Sequence, residues 1–198
     1  MLNQIRDRIE PTMNSLGLKF AASGLSPTFW SSFGFAFAIL SSLVYASANI
    51  GIIYAAIYGG VILLIAGFFD IVDGSVAKAT KQISHKGAFL DSIFDKVAEV
   101  AIFLGILYGG FADEKIVLLA LGLSLLVSYT RAKAESLGIE LKGVGIGERA
   151  ERLIVIVVFS IFSIVFTDAV EYGMIIVSII AGVTFIQRVV LVSHIKRN

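Results

Sequence analysis

The chain has 198 residues, 57% of them hydrophobic, and a mean hydropathy of +0.90. These values exclude an ordinary soluble domain, in which only about half of the residues are apolar. The formal net charge of +1 gives no reason to expect a nucleic-acid partner, and the absence of cysteine removes any disulfide or thiolate chemistry.

The first twenty residues predict a short amphipathic helix that lies on the membrane surface. Apolar residues recur there at helical spacing among charged neighbours, at Leu2, Ile5 and Ile9. Pro11 and Gly17 are expected to break this helix into pieces. A simple tether is the alternative interpretation. We therefore treat residues 1–20 as a juxtamembrane segment and residues 21–198 as a single transmembrane domain.

The pattern of apolar runs predicts an all-α integral membrane protein with six transmembrane helices. Residues 20–69 contain no charged residue and no histidine, which leaves room for two crossings of about 20 residues each and a turn at residues 49–51. Four more helices are expected over the later apolar runs, at residues 100–112, 116–130, 153–167 and 172–187. A membrane barrel would need alternating polarity instead.

The placement of Lys and Arg predicts the orientation of these helices. With six crossings, all but one of the 16 basic residues fall on one side or at the adjoining helix ends, and the exception is Lys115. The positive-inside rule then places both termini and the basic loops in the cytoplasm. The sequence therefore predicts a multi-pass protein of the cytoplasmic membrane, with any site at those loops facing the cytoplasm.

Four aspartates form the most informative pattern in the chain. Asp70 and Asp73 are three residues apart, and Asp91 and Asp95 are four apart, so each pair lies on one helix face. One unpartnered intramembrane Asp costs about 3 kcal/mol, and carboxylates are preferred ligands of hard cations such as Mg²⁺. The two pairs are therefore predicted to face each other around one or two divalent cations. Ion pairing with nearby lysines is the alternative.

The segment that carries the aspartates resembles the signature of the CDP-alcohol phosphotransferases. It reads Asp70-x-x-Asp73-Gly74-x-x-Ala77-Lys78, then eight residues, then Gly87-x-x-x-Asp91-x-x-x-Asp95. The family pattern has Arg where this chain has Lys78. The lysine keeps the positive charge but lacks the planar fork of a guanidinium group. The resemblance implies a transferase in which an alcohol hydroxyl displaces CMP from a CDP-linked donor.

The same resemblance assigns roles to individual residues. Asp70, Asp73 and Asp91 would bind two Mg²⁺ or Mn²⁺ ions, which clamp a diphosphate and stabilise the attacking and leaving oxygens. Asp95 would complete the metal site and act as the general base. The CDP moiety of the donor would contact Pro27, Thr28, Asp70, Asp73, Gly74, Ala77 and Lys78.

Four further motifs resemble one branch of this family. They are residues 87–92, 128–135, 147–153 and 187–188, and they look like the phosphatidylinositol phosphate synthases of actinobacteria and the archaetidylinositol phosphate synthases of archaea. In that branch the second motif usually contains Lys-Ala-Arg, where this chain has Arg-Ala-Lys at residues 131–133. The resemblance implies a CDP-diacylglycerol or CDP-archaeol donor, inositol 1-phosphate as the acceptor, and a homodimer.

The basic residues at three cytoplasmic helix ends favour an anionic acceptor independently of the resemblance. A phosphate on the acceptor would engage them through charge-assisted hydrogen bonds, and a neutral alcohol would not need them. The predicted phosphate-binding set is Ser128, Arg131, Lys133, Arg149, Arg152 and Arg188. Lipid headgroups are the alternative ligands, and Glu148 and Glu151 are close enough in sequence to neutralise Arg149 and Arg152.

Two other functions stay open on the sequence. A phosphatidylglycerophosphate synthase-like enzyme would use glycerol 3-phosphate, which is also anionic. A small transporter with a carboxylate ion site belongs to a different class, and such folds usually show paired repeats and helices broken in mid-membrane. Neither feature is visible in this sequence.

Overall fold

The computed structural model describes residues 12–13, 15–82, 84–141 and 143–194. Within these ranges the regular secondary structure is helical, with no strand, as the sequence predicts. The long α-helices are α1 (Pro27–Ala46), α2 (Ala55–Thr80), α3 (His85–Tyr108), α4 (Glu114–Ser136), α5 (Arg149–Phe162) and α6 (Ala169–His194).

Four helical stretches in the described part of the chain are long and apolar enough to cross a membrane. They are Pro27–Ile50, Ala55–Thr80, Glu114–Ser136 and Ala169–His194. The other two helices differ for visible reasons, since α3 carries Asp91, Asp95 and further charges, and α5 has only 14 residues. The multi-pass membrane character is thus confirmed, and the count of six crossings stays a prediction.

Local sequence signals mark several helix ends. Pro27 opens α1, and the hydroxyl of Ser26 accepts a hydrogen bond of 3.2 Å from the amide of Phe29. A 3-10 turn over Ser47–Ile50 ends at Gly51, whose φ of +87° suits glycine. The predicted turn at residues 49–51 is therefore confirmed.

The N-terminal segment is described only in part. The prediction of an amphipathic face on residues 2–9 and of a break at Pro11 concerns residues outside the described ranges. The prediction that Gly17 breaks the helix is wrong, because residues 15–21 are helical through it. A Cβ on Gly17 would lie 2.5 Å from the carbonyl oxygen of Ser75, so this glycine serves close packing against α2.

The chain folds into two compact units. The first comprises Met1–Leu40 and Ile62–Ala101, and the second comprises Ser41–Val61 and Ile102–Asn198. In the first unit, aromatic rings of α1 pack on α2: Trp30 stacks on Phe69 with ring centroids 5.8 Å apart, and Phe33 meets the same ring edge-on at 4.8 Å.

Small residues and buried hydrogen bonds hold the helices of the second unit together. Both α4 and α5 pack against α6. The phenol of Tyr45 and the hydroxyl of Ser160 share a buried hydrogen bond of 2.6 Å. A Cβ on Gly60 would lie 2.6 Å from the Cβ of Ser160, so the backbone at Gly60 approaches α5 as closely as glycine allows.

Candidate functional site

Three of the four predicted aspartates converge in the first unit. Asp70 on α2 and Asp91 and Asp95 on α3 each offer a carboxylate oxygen, and these oxygens all lie within 4.8 Å of one another. Asp70 is exposed, whereas Asp91 and Asp95 are half-buried. The spacing of four residues places Asp91 and Asp95 on one face of α3, and the structure brings both carboxylates close to that of Asp70.

Asp73 lies beside this group in a more buried position. Its residue is only 7% exposed, and its charge interacts with those of Asp91 and Asp70. The hydroxyl of Ser31, on α1, is its hydrogen-bonding neighbour. The second carboxylate oxygen, Oδ2, is buried and has no hydrogen-bond partner among the described residues. Burying a carboxylate oxygen without a hydrogen-bond partner costs free energy unless a cation or a hydrogen-bond donor contacts it.

The donor set fits a hard divalent cation. All four groups are carboxylates, and the ligand oxygens of one Mg²⁺ lie at most roughly 4.2 Å apart, which is twice the Mg–O distance. The oxygens of Asp70, Asp91 and Asp95 all lie within 4.8 Å of one another, which is close to that limit. The buried, unpartnered Oδ2 of Asp73 points to the same conclusion. These residues can therefore hold a metal ion.

The residues predicted to contact CDP belong to the same unit. Pro27 and Thr28 form the first turn of α1, and Thr28 is exposed. The helix α2 continues unbroken through Gly74, where a Cβ would meet nothing within 4 Å. Gly74 therefore leaves open space beside Asp73. Lys78 is exposed one turn further along α2.

The predicted phosphate-binding residues lie in the second unit, and the structure divides them into two groups. Arg131 and Lys133 at the end of α4 keep exposed surface, and Ser128 and Arg149 are half-buried. In contrast, Arg152 and Arg188 are buried, with only 1% and 2% of each residue exposed.

The two buried guanidinium groups bind backbone carbonyls. Arg188 on α6 donates from Nε to the carbonyl of Val144 at 2.9 Å and from NH1 to that of Val127 at 2.7 Å. Arg152 donates from NH1 to the carbonyl of Gly147 at 2.7 Å. These two arginines therefore fix the loop that precedes α5, and Arg188 also ties this loop to α4.

Sequence reasoning missed the residue at the centre of this arrangement. Proximity in sequence associates Glu148 with Arg149 and Arg152, and the structure adds contacts of its carboxylate with Arg131 and Arg188. Sequence reasoning also missed Thr184, whose hydroxyl accepts a hydrogen bond of 2.9 Å from the amide of Gly147. The alternating glycines at residues 143, 145 and 147 were the available signal of a loop with special backbone geometry. Gly145 indeed has a φ of +108°, which favours glycine.

Comparisons with known proteins point to one family. Residues 26–187 match the family model "CDP-alcohol phosphatidyltransferase". The archaetidylinositol phosphate synthase of Pyrococcus horikoshii is 35% identical over 96% of this chain and 95% of that protein. The protein of the same name from Methanothermobacter thermautotrophicus is 38% identical over 97% of this chain and 94% of that protein.

A solved structure supports the fold. The Mycobacterium tuberculosis phosphatidylinositol phosphate synthase, crystallised with CDP-DAG, has a TM-score of 0.78 and 24% identity over 94% of this chain and 98% of that one. A second structure of it, with manganese and citrate, has a TM-score of 0.79 at the same identity, over 94% of this chain and 93% of that one. The family model, the two archaeal relatives and the converging aspartates lead to one conclusion: the chain belongs to the CDP-alcohol phosphatidyltransferase family.

Proposed function

We propose that this transferase displaces CMP from a CDP-linked lipid with inositol 1-phosphate and so makes a phospholipid with a phosphorylated inositol headgroup. The observation that carries the proposal is the convergence of Asp70, Asp91 and Asp95 within a family-matched chain. The choice of acceptor is supported by the two archaetidylinositol phosphate synthases, which align with nearly the whole chain.

The first unit would bind the donor. Its aspartates would hold one or two divalent cations, Mg²⁺ or Mn²⁺, and the mycobacterial neighbour has been crystallised with manganese. When bound, such cations supply positive charge to a diphosphate and to the departing CMP. The open backbone at Gly74 and the ammonium group of Lys78 would contact the CDP moiety, together with Pro27, Thr28 and Ala77.

Asp95 would act as the general base in the same unit. It is half-buried and lies one turn after Asp91, within the group of converging carboxylates. A carboxylate so placed takes the proton from the attacking ring hydroxyl of the acceptor as the new phosphate ester bond forms. The oxygen–phosphorus bond to CMP breaks in exchange, and CMP leaves with the electron pair.

The second unit would bind the phosphate of the acceptor. Arg131, Lys133 and Ser128 lie near the end of α4, and Arg149 begins α5. The side chain of Glu148 does not cap α5, so it leaves the first amide groups of that helix open to an anion. We propose that Arg152 and Arg188 support this site mainly by holding its loop, and their direct contact with the acceptor stays a prediction.

The membrane arrangement completes the proposal. Six crossings would place both termini and the basic loops in the cytoplasm, where inositol 1-phosphate is dissolved, while the CDP-lipid would enter from the inner leaflet. The donor tail would be diacylglycerol or archaeol. The enzyme would act in the cytoplasmic membrane as a homodimer, which crosslinking in native membranes would test.

The decisive experiment is an assay of CMP release by the purified protein with Mg²⁺ or Mn²⁺ and each CDP-lipid. The acceptors to compare are inositol 1-phosphate, free inositol, glycerol 3-phosphate and serine. Release with inositol 1-phosphate alone would support the proposal. Release only with glycerol 3-phosphate would change the acceptor, and no release with any acceptor from folded protein would favour a transporter.

A matched pair of variants tests the role of Asp95. The Asp95→Asn variant should lose at least about 100-fold in kcat, the usual contribution of a general base, yet still bind CDP-lipid in the presence of metal. The control is Asp113→Asn, which removes a carboxylate at the N-cap of α4 and leaves a residue that also caps helices well. Substantial turnover by Asp95→Asn would exclude Asp95 as the base.

A further inference from the structure

A carboxylate oxygen of Glu148 lies near two arginines of the second unit, Arg131 and Arg188. Glu148 Oε1 accepts a hydrogen bond of 3.1 Å from the amide of Gly143. The same oxygen lies 3.5 Å from NH2 of Arg188 and 3.9 Å from NH1 of Arg131. The side chain of Glu148 is 33% exposed, so an ion dissolved in water can reach it.

The contacts of Glu148 with the two arginines are long for ion pairs. Charge-assisted hydrogen bonds usually measure about 2.7–2.9 Å, and both arginines reach such distances with other partners. Arg188 does so at the carbonyls of Val144 and Val127, and Arg131 does so at Glu135, 2.9 Å from its Nε. The guanidinium groups are therefore held in place independently of Glu148, and each turns one remaining nitrogen towards it.

The position of Glu148 also differs from that of an ordinary helix cap. It is the N-cap residue of α5, but its side chain makes no capping hydrogen bond. Instead, the carboxylate turns to the amide of Gly143 and to the two arginines, which together form an arrangement of donors suited to an anion. A phosphate monoester would bring three oxygens and nearly two negative charges to such donors.

We infer that Glu148 is an internal competitor for this anion site, and that the phosphate group of the acceptor must displace its carboxylate from Arg131 and Arg188. The site then selects for phosphorylated ligands, because a neutral alcohol cannot replace the charge that Glu148 supplies. The identity of the acceptor rests on the proposed function. Competition between Glu148 and a phosphate does not depend on it.

A purely structural role for Glu148 makes the opposite prediction. If the carboxylate served to position the arginines, its removal would weaken phosphate binding. The Glu148→Gln variant separates the two roles, because the amide oxygen of Gln still accepts the hydrogen bond from Gly143 while the negative charge is lost. Competition predicts phosphate binding that is about fivefold tighter, the effect of one partly exposed charge pair.

The experiment measures the Kd of inorganic phosphate and of inositol 1-phosphate for the full-length protein in detergent, by titration calorimetry. The control is Glu140→Gln, which removes an exposed carboxylate from the same connection between α4 and α5. Glu148→Gln should lower both Kd values and Glu140→Gln should leave them unchanged. Values for Glu148→Gln that are equal to or above those of the unmodified protein would overturn the inference.

Two additions keep the result decisive. Should Glu148→Gln fold poorly, Glu148→Asp keeps the charge but withdraws it by one carbon, and competition predicts a smaller tightening in the same direction. Turnover assays separate the two proposals. Tighter phosphate binding without turnover of inositol 1-phosphate would support the competitor and refute the proposed acceptor, and turnover without tightening would do the reverse.

Discussion

The buried guanidinium of Arg188 offers the sharpest test of how the second unit is held together. Replacing it with Met removes charge-assisted hydrogen bonds to the carbonyls of Val144 and Val127. Each such bond contributes about 1.5–3 kcal/mol. The carbonyl of Val127 keeps a hydrogen bond of 2.9 Å from the hydroxyl of Thr130, and the Met side chain refills most of the space. We therefore expect a loss of about 3 kcal/mol in the free energy of unfolding.

Thermal unfolding in detergent measures this loss. For a chain of this length, 1 kcal/mol corresponds to about 2–4 °C in Tm, so Arg188→Met should lower Tm by roughly 6–12 °C. The control is Arg131→Met, because the side chain of Arg131 is 40% exposed and its ion pairs contribute at most about 1 kcal/mol. Arg188→Lys should recover less than half of the loss, since one ammonium group lacks the fork that serves two carbonyls.

The alternative is that Arg188 serves only as a phosphate ligand and contributes nothing to holding the loop. It predicts that Arg188→Met raises the KM for the acceptor while Tm stays within about 2 °C of the unmodified protein. It also predicts that Arg188→Lys retains most of the acceptor affinity. Either of these results would refute the argument that Arg188 stabilises the loop before α5.

Two further substitutions test the packing and the donor site. Gly60→Ala should destabilise the protein by about 1–3 kcal/mol, because the new Cβ would lie 2.6 Å from the Cβ of Ser160. The control is Gly67→Ala, which should leave the stability unchanged because nothing lies within 4 Å of the new Cβ. An equal Tm for the two variants would contradict the argument from close packing. Lys78→Arg introduces the residue that the family pattern has. The planar fork of its guanidinium group should lower the KM for CDP-lipid about two- to fivefold without changing kcat. An unchanged KM would show that Lys78 does not contact the donor.

The aspartate cluster was predictable from the sequence because its geometry is mostly local. Asp91 and Asp95 share a face of α3 by their spacing alone, and a short connection returns α3 towards Asp70 on α2. The same holds for the start of α1, where Ser26 and Pro27 are adjacent in sequence and the Ser26 hydroxyl accepts from the amide of Phe29.

The environment of the basic residues was not predictable in this way. Arg131 and Arg188 look alike in sequence, because each is a basic residue near the end of an apolar helix. The structure buries Arg188 against carbonyls that are 44 and 61 residues away and leaves Arg131 half-exposed. One partner of Glu148, Arg188, is likewise 40 residues distant.

The sequence by itself determined the all-α membrane class, the family and the residues that can bind a metal ion, because apolar run length and helical spacing are properties of the chain. Only the tertiary structure decided which charged groups are buried and which glycine packs rather than breaks a helix, as at Arg188 and Gly17. The physical reason is that burial and pairing depend on which distant backbone atoms lie beside a side chain. A local sequence pattern contains no information about those distant atoms.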